Sequence, residues 1–254
     1  MRISAIVLNT FREAIREKAL YLVVAFGILL IISGRLVTPL ALGEEAKIMT
    51  DLGLSALSLF SLLIVVLVGT SLLRKEMERH TAYSVLSKPV RREEFILGKY
   101  LGLLLTVTLA IFLMSLILIL TLRMTTGKWE PVMLLGAFFA FLEAVVLTGA
   151  AVFFSTFAGS VTSSLFILSI YVLGETSGSL KYWVDRGGSQ LGKGAVSLAY
   201  YMLPNLTALN VRGELVHGVP VTAERIIFCF SYSLLYAFAT LAIAVLVFRR
   251  RDLA

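Results

Sequence analysis

The chain has 254 residues, 58% of them hydrophobic and 15% charged, with mean hydropathy +0.91. A soluble domain carries about a quarter charged residues, so an ordinary soluble globular protein is excluded. The formal charge of +7 fits either a nucleic-acid binder or a basic membrane face, and the placement of the charges decides between them.

Repeated apolar runs of about 20 residues match what a helix needs to cross bilayer hydrocarbon. The expected fold class is therefore an all-α polytopic membrane protein with six transmembrane helices. Six such spans use about half the chain and leave no connection long enough for a soluble catalytic domain. In chain order, residues 1–18 are too charged for a cleaved signal. On a helical wheel Ile3, Ile6, Val7, Phe11 and Ala14 oppose Asn9, Arg12, Glu13, Arg16 and Glu17, which predicts an amphipathic interface helix. Residues 19–73 hold spans 1 and 2, at about 19–38 with Arg35 near its far end and about 52–73, joined by a short polar link. Residues 74–99 form a loop longer than the usual 2–8 residues of a helix connection, divided by Pro89, and read as a cytoplasmic coupling element. Residues 100–174 hold spans 3 to 5: about 100–122, about 132–157 with Glu143 deep inside, and a short fifth span that ends near Gly174. Residues 175–225 form an outer segment with a second apolar piece at 195–203, ended by Pro204, expected to be re-entrant. Residues 226–254 hold the sixth span and a basic tail, and the whole chain is expected to be one transmembrane domain.

With the N-terminus inside, Arg2, Arg12, Arg16, Lys18, Arg74, Lys75, Arg79, Lys88, Arg91, Arg92, Lys99, Arg249, Arg250 and Arg251 are cytoplasmic, leaving nine of the 23 basic residues outside. Both termini are therefore expected on the cytoplasmic side of the cytoplasmic (inner) membrane. The basic excess flanks spans without interleaved stacking aromatics, so no nucleic-acid partner is expected.

Most chemical motifs fail on their own terms. Gly187-Gly188-Ser189-Gln190-Leu191-Gly192-Lys193-Gly194 approaches a phosphate loop, but Gly194 stands where a magnesium-binding hydroxyl belongs and no strand precedes it. The adjacent acids Glu93 and Glu94 resemble a membrane protease pair but lack its partners. His80 and His217 fall on opposite sides of the membrane, which excludes a two-histidine metal site or a histidine triad within one chain. The methionines show no Met-x-x-Met clustering, Cys229 is the single cysteine, and the sequon at Asn205 is uninformative. No catalytic or metal residue is assigned. Gly98 and Gly102 make a GxxxG read as intrachain packing. Glu143 has two readings, a substrate or gating path and a structural partner for neighbouring hydroxyls, since a carboxylate at a span centre costs about 2.5–3.5 kcal/mol on insertion scales.

The loop Glu76-Met77-Glu78-Arg79-His80-Thr81, followed by Val85-Leu86-Ser87-Lys88-Pro89-Val90-Arg91-Arg92-Glu93-Glu94-Phe95-Ile96-Leu97-Gly98-Lys99, resembles ABC-2-type transporter permeases. In that family a glutamate after the second span, a threonine, a Leu-x-x-Pro turn, an arginine and a lysine opening the third span recur in this order. Glu76, Thr81, Leu86, Pro89, Arg91 or Arg92, and Lys99 match it. Leu203-Pro204-Asn205-Leu206, Asn210, Val216-His217-Gly218 and Phe248-Arg249-Arg250-Arg251-Asp252 extend the likeness toward the nitrous-oxide-reductase maturation branch.

The resemblance implies a coupling helix between spans 2 and 3, outer re-entrant helices between spans 5 and 6, and a paired second permease, either a second copy or a paralogue. It also implies a cytoplasmic ABC ATPase subunit that binds ATP and Mg, so that this chain holds no cofactor and is no enzyme by itself. Glu76, Arg79, Thr81, Leu86, Pro89, Arg91, Arg92, Phe95 and Lys99 are the expected coupling residues. Glu143, Tyr200, Tyr201, Pro204 and Asn205 are the expected pathway or gate residues. Membrane lipid and an extracytoplasmic accessory protein complete the expected partners, and the output is either substrate export or mechanical work on that outer partner. The rivals are an ion-gradient-driven secondary transporter that uses Glu143 and an intramembrane hydrolase, the latter disfavoured because no nucleophile and base meet at membrane depth.

Overall fold

The computed structural model describes residues 2–37, 44–71, 91–127, 130, 132–178 and 203–250. Among them there is no strand, as an apolar environment that cannot solvate open sheet edges demands. The elements are α1 (Arg2–Arg16), α2 (Lys18–Val37), α3 (Glu45–Ile64) running on through a π turn (Val65–Gly69), α4 (Arg92–Thr126), α5 (Val132–Ser155), α6 (Ser160–Glu175), a short 3₁₀ turn (Thr207–Leu209), α7 (Arg212–Val216) and α8 (Ala223–Arg250).

Among the described residues five helices are long and apolar enough to cross a membrane: α2, α3 with its π turn, α4, α5 and α8. The expected fifth span, α6, has 16 residues. At 1.5 Å per residue it is about 24 Å long, short of the roughly 30 Å hydrocarbon layer. The shortness anticipated from the sequence is therefore present.

Helix α5 is central, packing against α3, α4, α6, α8 and the segment that begins at residue 203. Its Phe139, Leu142, Val146, Leu147 and Ala151 belong to the main apolar core with Leu57, Ile64 and Val68 of α3 and Leu103, Val107 and Met114 of α4. Helices α2 and α8 lie at the periphery and expose Leu22, Phe26, Leu29, Leu36, Phe228, Leu235 and Phe238. Water would reject such a surface and hydrocarbon accepts it. Ser and Thr within the spans turn inward on their own backbone, as Thr106 does on the Gly102 carbonyl at 3.0 Å and Thr121 on that of Ile117 at 2.7 Å.

Two boundaries differ from the sequence expectation. Helix α4 starts at Arg92, so residues 92–99 of the expected loop are the first two turns of the third span. The cause is local: the Arg91 N–H donates to the Glu94 carboxylate at 3.0 Å, and Glu93 and Glu94 place negative charge at the positive end of the helix. The α4 helix ends at Gly127, whose φ of 70° closes an αL cap onto the Arg123 carbonyl. Helix α3 likewise starts at Glu45 and takes up most of the polar link.

The GxxxG packs within the chain, against α1. A Cβ on Gly98 would lie 2.6 Å from Ile6 Cγ2, and one on Gly102 would lie 2.6 Å from Thr10 Cβ and 2.9 Å from the Val7 carbonyl oxygen. Removing both side chains lets α1 lie directly on the backbone of α4.

Candidate functional site

Polar side chains gather at the two ends of the bundle. The first end carries α1, the start of α4 and the close of α8. Glu76, Arg79, Thr81, Leu86 and Pro89 lie outside the described residues, whereas Arg91, Arg92, Phe95 and Lys99 are described.

Arg92 donates through Nη1 to the carbonyls of Phe248 at 3.0 Å and Arg249 at 2.8 Å. It thereby satisfies the last turn of α8, where carbonyls lack helical partners and the dipole favours a cation. Its guanidinium also sits 5.9 Å from the centre of the Phe248 ring. Phe95 stacks on Phe248 at 6.0 Å, and Arg249 pairs with Glu93. One turn further along, Lys99 is 2% exposed, with its ammonium 3.9 Å from Glu13 on α1 and 5.8 Å from the centre of the Phe95 ring. A buried ammonium requires such partners. The first turns of α4 are thus braced to α1 by Lys99 and to α8 by Arg92 and Phe95.

The end of α3 is fastened separately. Buried Thr70 follows the π turn, donates to the Val66 carbonyl at 2.6 Å, and stands 3.1 Å from both Ser160 Oγ and Ser164 Oγ at the start of α6. A π turn widens the helix where such an interhelical contact is made.

At the opposite end, residues 203–218 cover the tips of α3, α5 and α6. Tyr200 and Tyr201 lie outside the described residues, while Pro204 and Asn205 are described. Asn205 is a fastening residue. Its Oδ1 accepts from Ser177 Oγ at 2.9 Å and from the Ala208 N–H at 3.1 Å, and its own N–H donates to Tyr232 Oη at 2.8 Å. The Thr207 hydroxyl reaches the Glu175 carbonyl at 2.7 Å. Pro204 is buried, and its carbonyl lies so near Gly174 that a Cβ there would be 2.7 Å away. Arg225 pairs with Glu214, Asn210 Nδ2 donates to Glu175, and Arg212 meets Asp51 at 3.0 Å and Ser55 Oγ at 2.5 Å.

Beneath this cover is a cavity of about 60 Å³ lined by Ser58 of α3, Phe139 and Glu143 of α5, Tyr171 and Glu175 of α6, and Arg212. Glu143 is 7% exposed. The Ser58 hydroxyl lies beside its carboxyl, yet Oε1 has no hydrogen-bond partner among the described residues. Of the five expected pathway or gate residues, three are thus described, and they fall on one end of the bundle.

Sequence reasoning missed Tyr171, Glu175 and Arg212, and named Asn210 only as part of the family likeness. The available signal was the need of Glu143 for a polar setting, which called for polar residues near the ends of neighbouring helices.

The family model described as ABC-2 family transporter protein matches residues 4–175. This covers α1 through α6, including the braced start of α4 and the carboxyl of Glu143. No curated protein gives a significant match to the chain. The matched stretch, with its apolar membrane-crossing helices, makes this chain a multi-pass membrane protein of the ABC-2 transporter family.

Proposed function

We propose that this chain is the force-transmitting permease subunit of an ATP-driven ABC-2 transporter in the inner membrane, with both termini cytoplasmic. A separate ABC ATPase subunit binds ATP and Mg and docks on residues 74–99, and a second permease copy or a paralogue completes the membrane part. Glu76, Arg79, Thr81, Leu86, Pro89 and Arg91 form the docking element in this reading. Closure of the ATPase pair pushes that element, and the rigid spans carry the shift to the gate formed by residues 200–218. The output is substrate export or, as in the maturation branch, mechanical work on an extracytoplasmic partner.

One observation carries the reading: the helix that leaves the docking element is braced to both α1 and α8 by Lys99, Arg92 and Phe95. A push on residues 91–95 therefore moves three helices together instead of bending one. The Thr70 contact with Ser160 and Ser164 gives the other end of the element a path to α6, whose far end meets the gate through Thr207.

The test is affinity purification of the chain in mild detergent with identification of its partners and an ATPase assay. A stoichiometric ATPase subunit is expected, with binding lost in Leu86→Asp and Arg91→Glu. A chain that purifies without an ATPase across several detergents would overturn the reading and shift weight to an ion-driven carrier.

A further inference from the structure

The cavity under residues 203–218 holds a carboxylate oxygen that the protein leaves without a hydrogen-bond partner among its described residues: Glu143 Oε1, on a side chain 93% removed from solvent. Burying such an atom without a donor or a cation is unfavourable, because the water it leaves is not replaced. The cavity's remaining wall supplies oxygen: the hydroxyls of Ser58 and Tyr171 and the Glu175 carboxylate. The one cation in the wall, Arg212, is engaged by Asp51 and Ser55 on its own side. Two carboxylates, Glu143 and Glu175, therefore line the cavity beside one guanidinium that Asp51 already pairs.

We propose that this cavity is a binding site for a small monovalent cation of the alkali type, with Glu143 Oε1 as its anchoring ligand. The chemistry of the donors selects the class. Every candidate ligand is a hard oxygen, which suits alkali and alkaline-earth ions and disfavours soft transition metals. Among the described residues no group of three His, Cys, Asp or Glu is placed to hold a metal ion, so the dense anionic cage that calcium or magnesium demands is not formed there. A volume of about 60 Å³ accommodates an ion with one or two waters and excludes any organic substrate of ordinary size. The ion would tie α3, α5 and α6 together directly beneath the segment that Asn205, Thr207 and Arg212 fasten. The site stands on this geometry alone, and ATPase docking at the other end of the bundle is a separate matter.

The test uses the purified full-length chain in phospholipid nanodiscs. Its thermal unfolding is followed in sodium, potassium and N-methyl-glucamine chloride at equal ionic strength, and retention of radiolabelled sodium is measured by equilibrium dialysis. The expected result is a saturable rise in the unfolding midpoint with sodium or potassium over N-methyl-glucamine. Glu143→Gln should abolish that rise, and Tyr171→Phe should weaken the apparent affinity about tenfold. Glu130→Gln, which lines a different pocket, should leave the response intact. Equal midpoints in all three salts with no sodium retained would overturn the proposal and leave Glu143 as a carboxyl that simply keeps its own proton. A full cation response in Glu143→Gln would overturn it equally. Should Glu143→Gln fail to fold, saturable sodium retention by the wild type, weakened about tenfold in Tyr171→Phe, decides the question on its own.

Discussion

Substituting Gly102 with alanine tests the packing that links the N-terminal helix to the third span. The new Cβ would stand 2.6 Å from Thr10 Cβ and 2.9 Å from both Thr10 Cγ2 and the Val7 carbonyl oxygen. Unstrained carbon contacts lie at about 3.5–4.0 Å, so one helix must retreat by about 1 Å. Neither obstacle is the end of a flexible side chain, and α1 has to move as a body. Overpacking of this kind costs about 1–3 kcal/mol. Alanine also favours a helix interior over glycine by about 0.5–1 kcal/mol, so the net destabilisation is about 1–2 kcal/mol. Gly213→Ala is the matched control, because a Cβ there meets nothing within 4 Å, and it should be neutral or mildly stabilising. The assay is thermal unfolding in nanodiscs together with hydrogen exchange across residues 2–16, which should speed up in Gly102→Ala alone. If Gly102→Ala is as stable as Gly213→Ala and α1 exchanges unchanged, α1 does not rest on α4 and the reasoning fails.

Arg92→Gln removes two charge-assisted bonds to the end of α8. Hydrogen exchange at the last turn of that helix should increase by the equivalent of about 1–2 kcal/mol, and an unchanged rate would count against the brace. Thr70→Val deletes the hydroxyl shared with Ser160 and Ser164 and should cost about 1 kcal/mol of stability, with Thr70→Ser restoring it; equal midpoints for the two variants would contradict the contact. Gly174→Ala forces a Cβ against the Pro204 carbonyl and should lift residues 203–218. The measured quantity is the rate at which a membrane-permeant maleimide labels buried Cys229, whose thiol lies 3.4 Å from the Ala208 carbonyl. Faster labelling than in the wild type is expected, and equal rates would mean that the segment does not move.

The helical class and the positions of the apolar elements were legible because a bilayer imposes one length and one composition on each span. The short fifth span, α6, was legible for the same reason: the polar break at residues 175–179 stops the apolar run early. The start of α4 was not, since a run of charge reads as a loop until its partners are known. Arg92, Glu93 and Lys99 are matched by Phe248, Arg249 and Glu13, residues far away in the chain. Glu143 stood out alone among apolar neighbours, but its surroundings did not. Tyr171 and Glu175 reach it through the packing of α6 on α5, and Arg212 through residues 203–218 that cover the helix tips. Ser58 lies beside the Glu143 carboxyl, and Oε1 is buried without a hydrogen-bond partner among the described residues.

The central claim is that a push at residues 74–99 reaches the opposite end of the bundle. It is tested most directly by measuring a distance there in response to nucleotide. Spin labels at Gly213→Cys, in open space on α7, and at Leu36→Cys, exposed near the end of α2, would be introduced into a Cys229→Ser chain. The labelled chain, reconstituted with its ATPase subunit, is then compared with and without ATP and Mg by double electron–electron resonance. A nucleotide-dependent shift of more than about 2 Å, absent in Arg91→Glu, is the expected result. A distance distribution indifferent to nucleotide, in a complex that still hydrolyses ATP, would contradict the account.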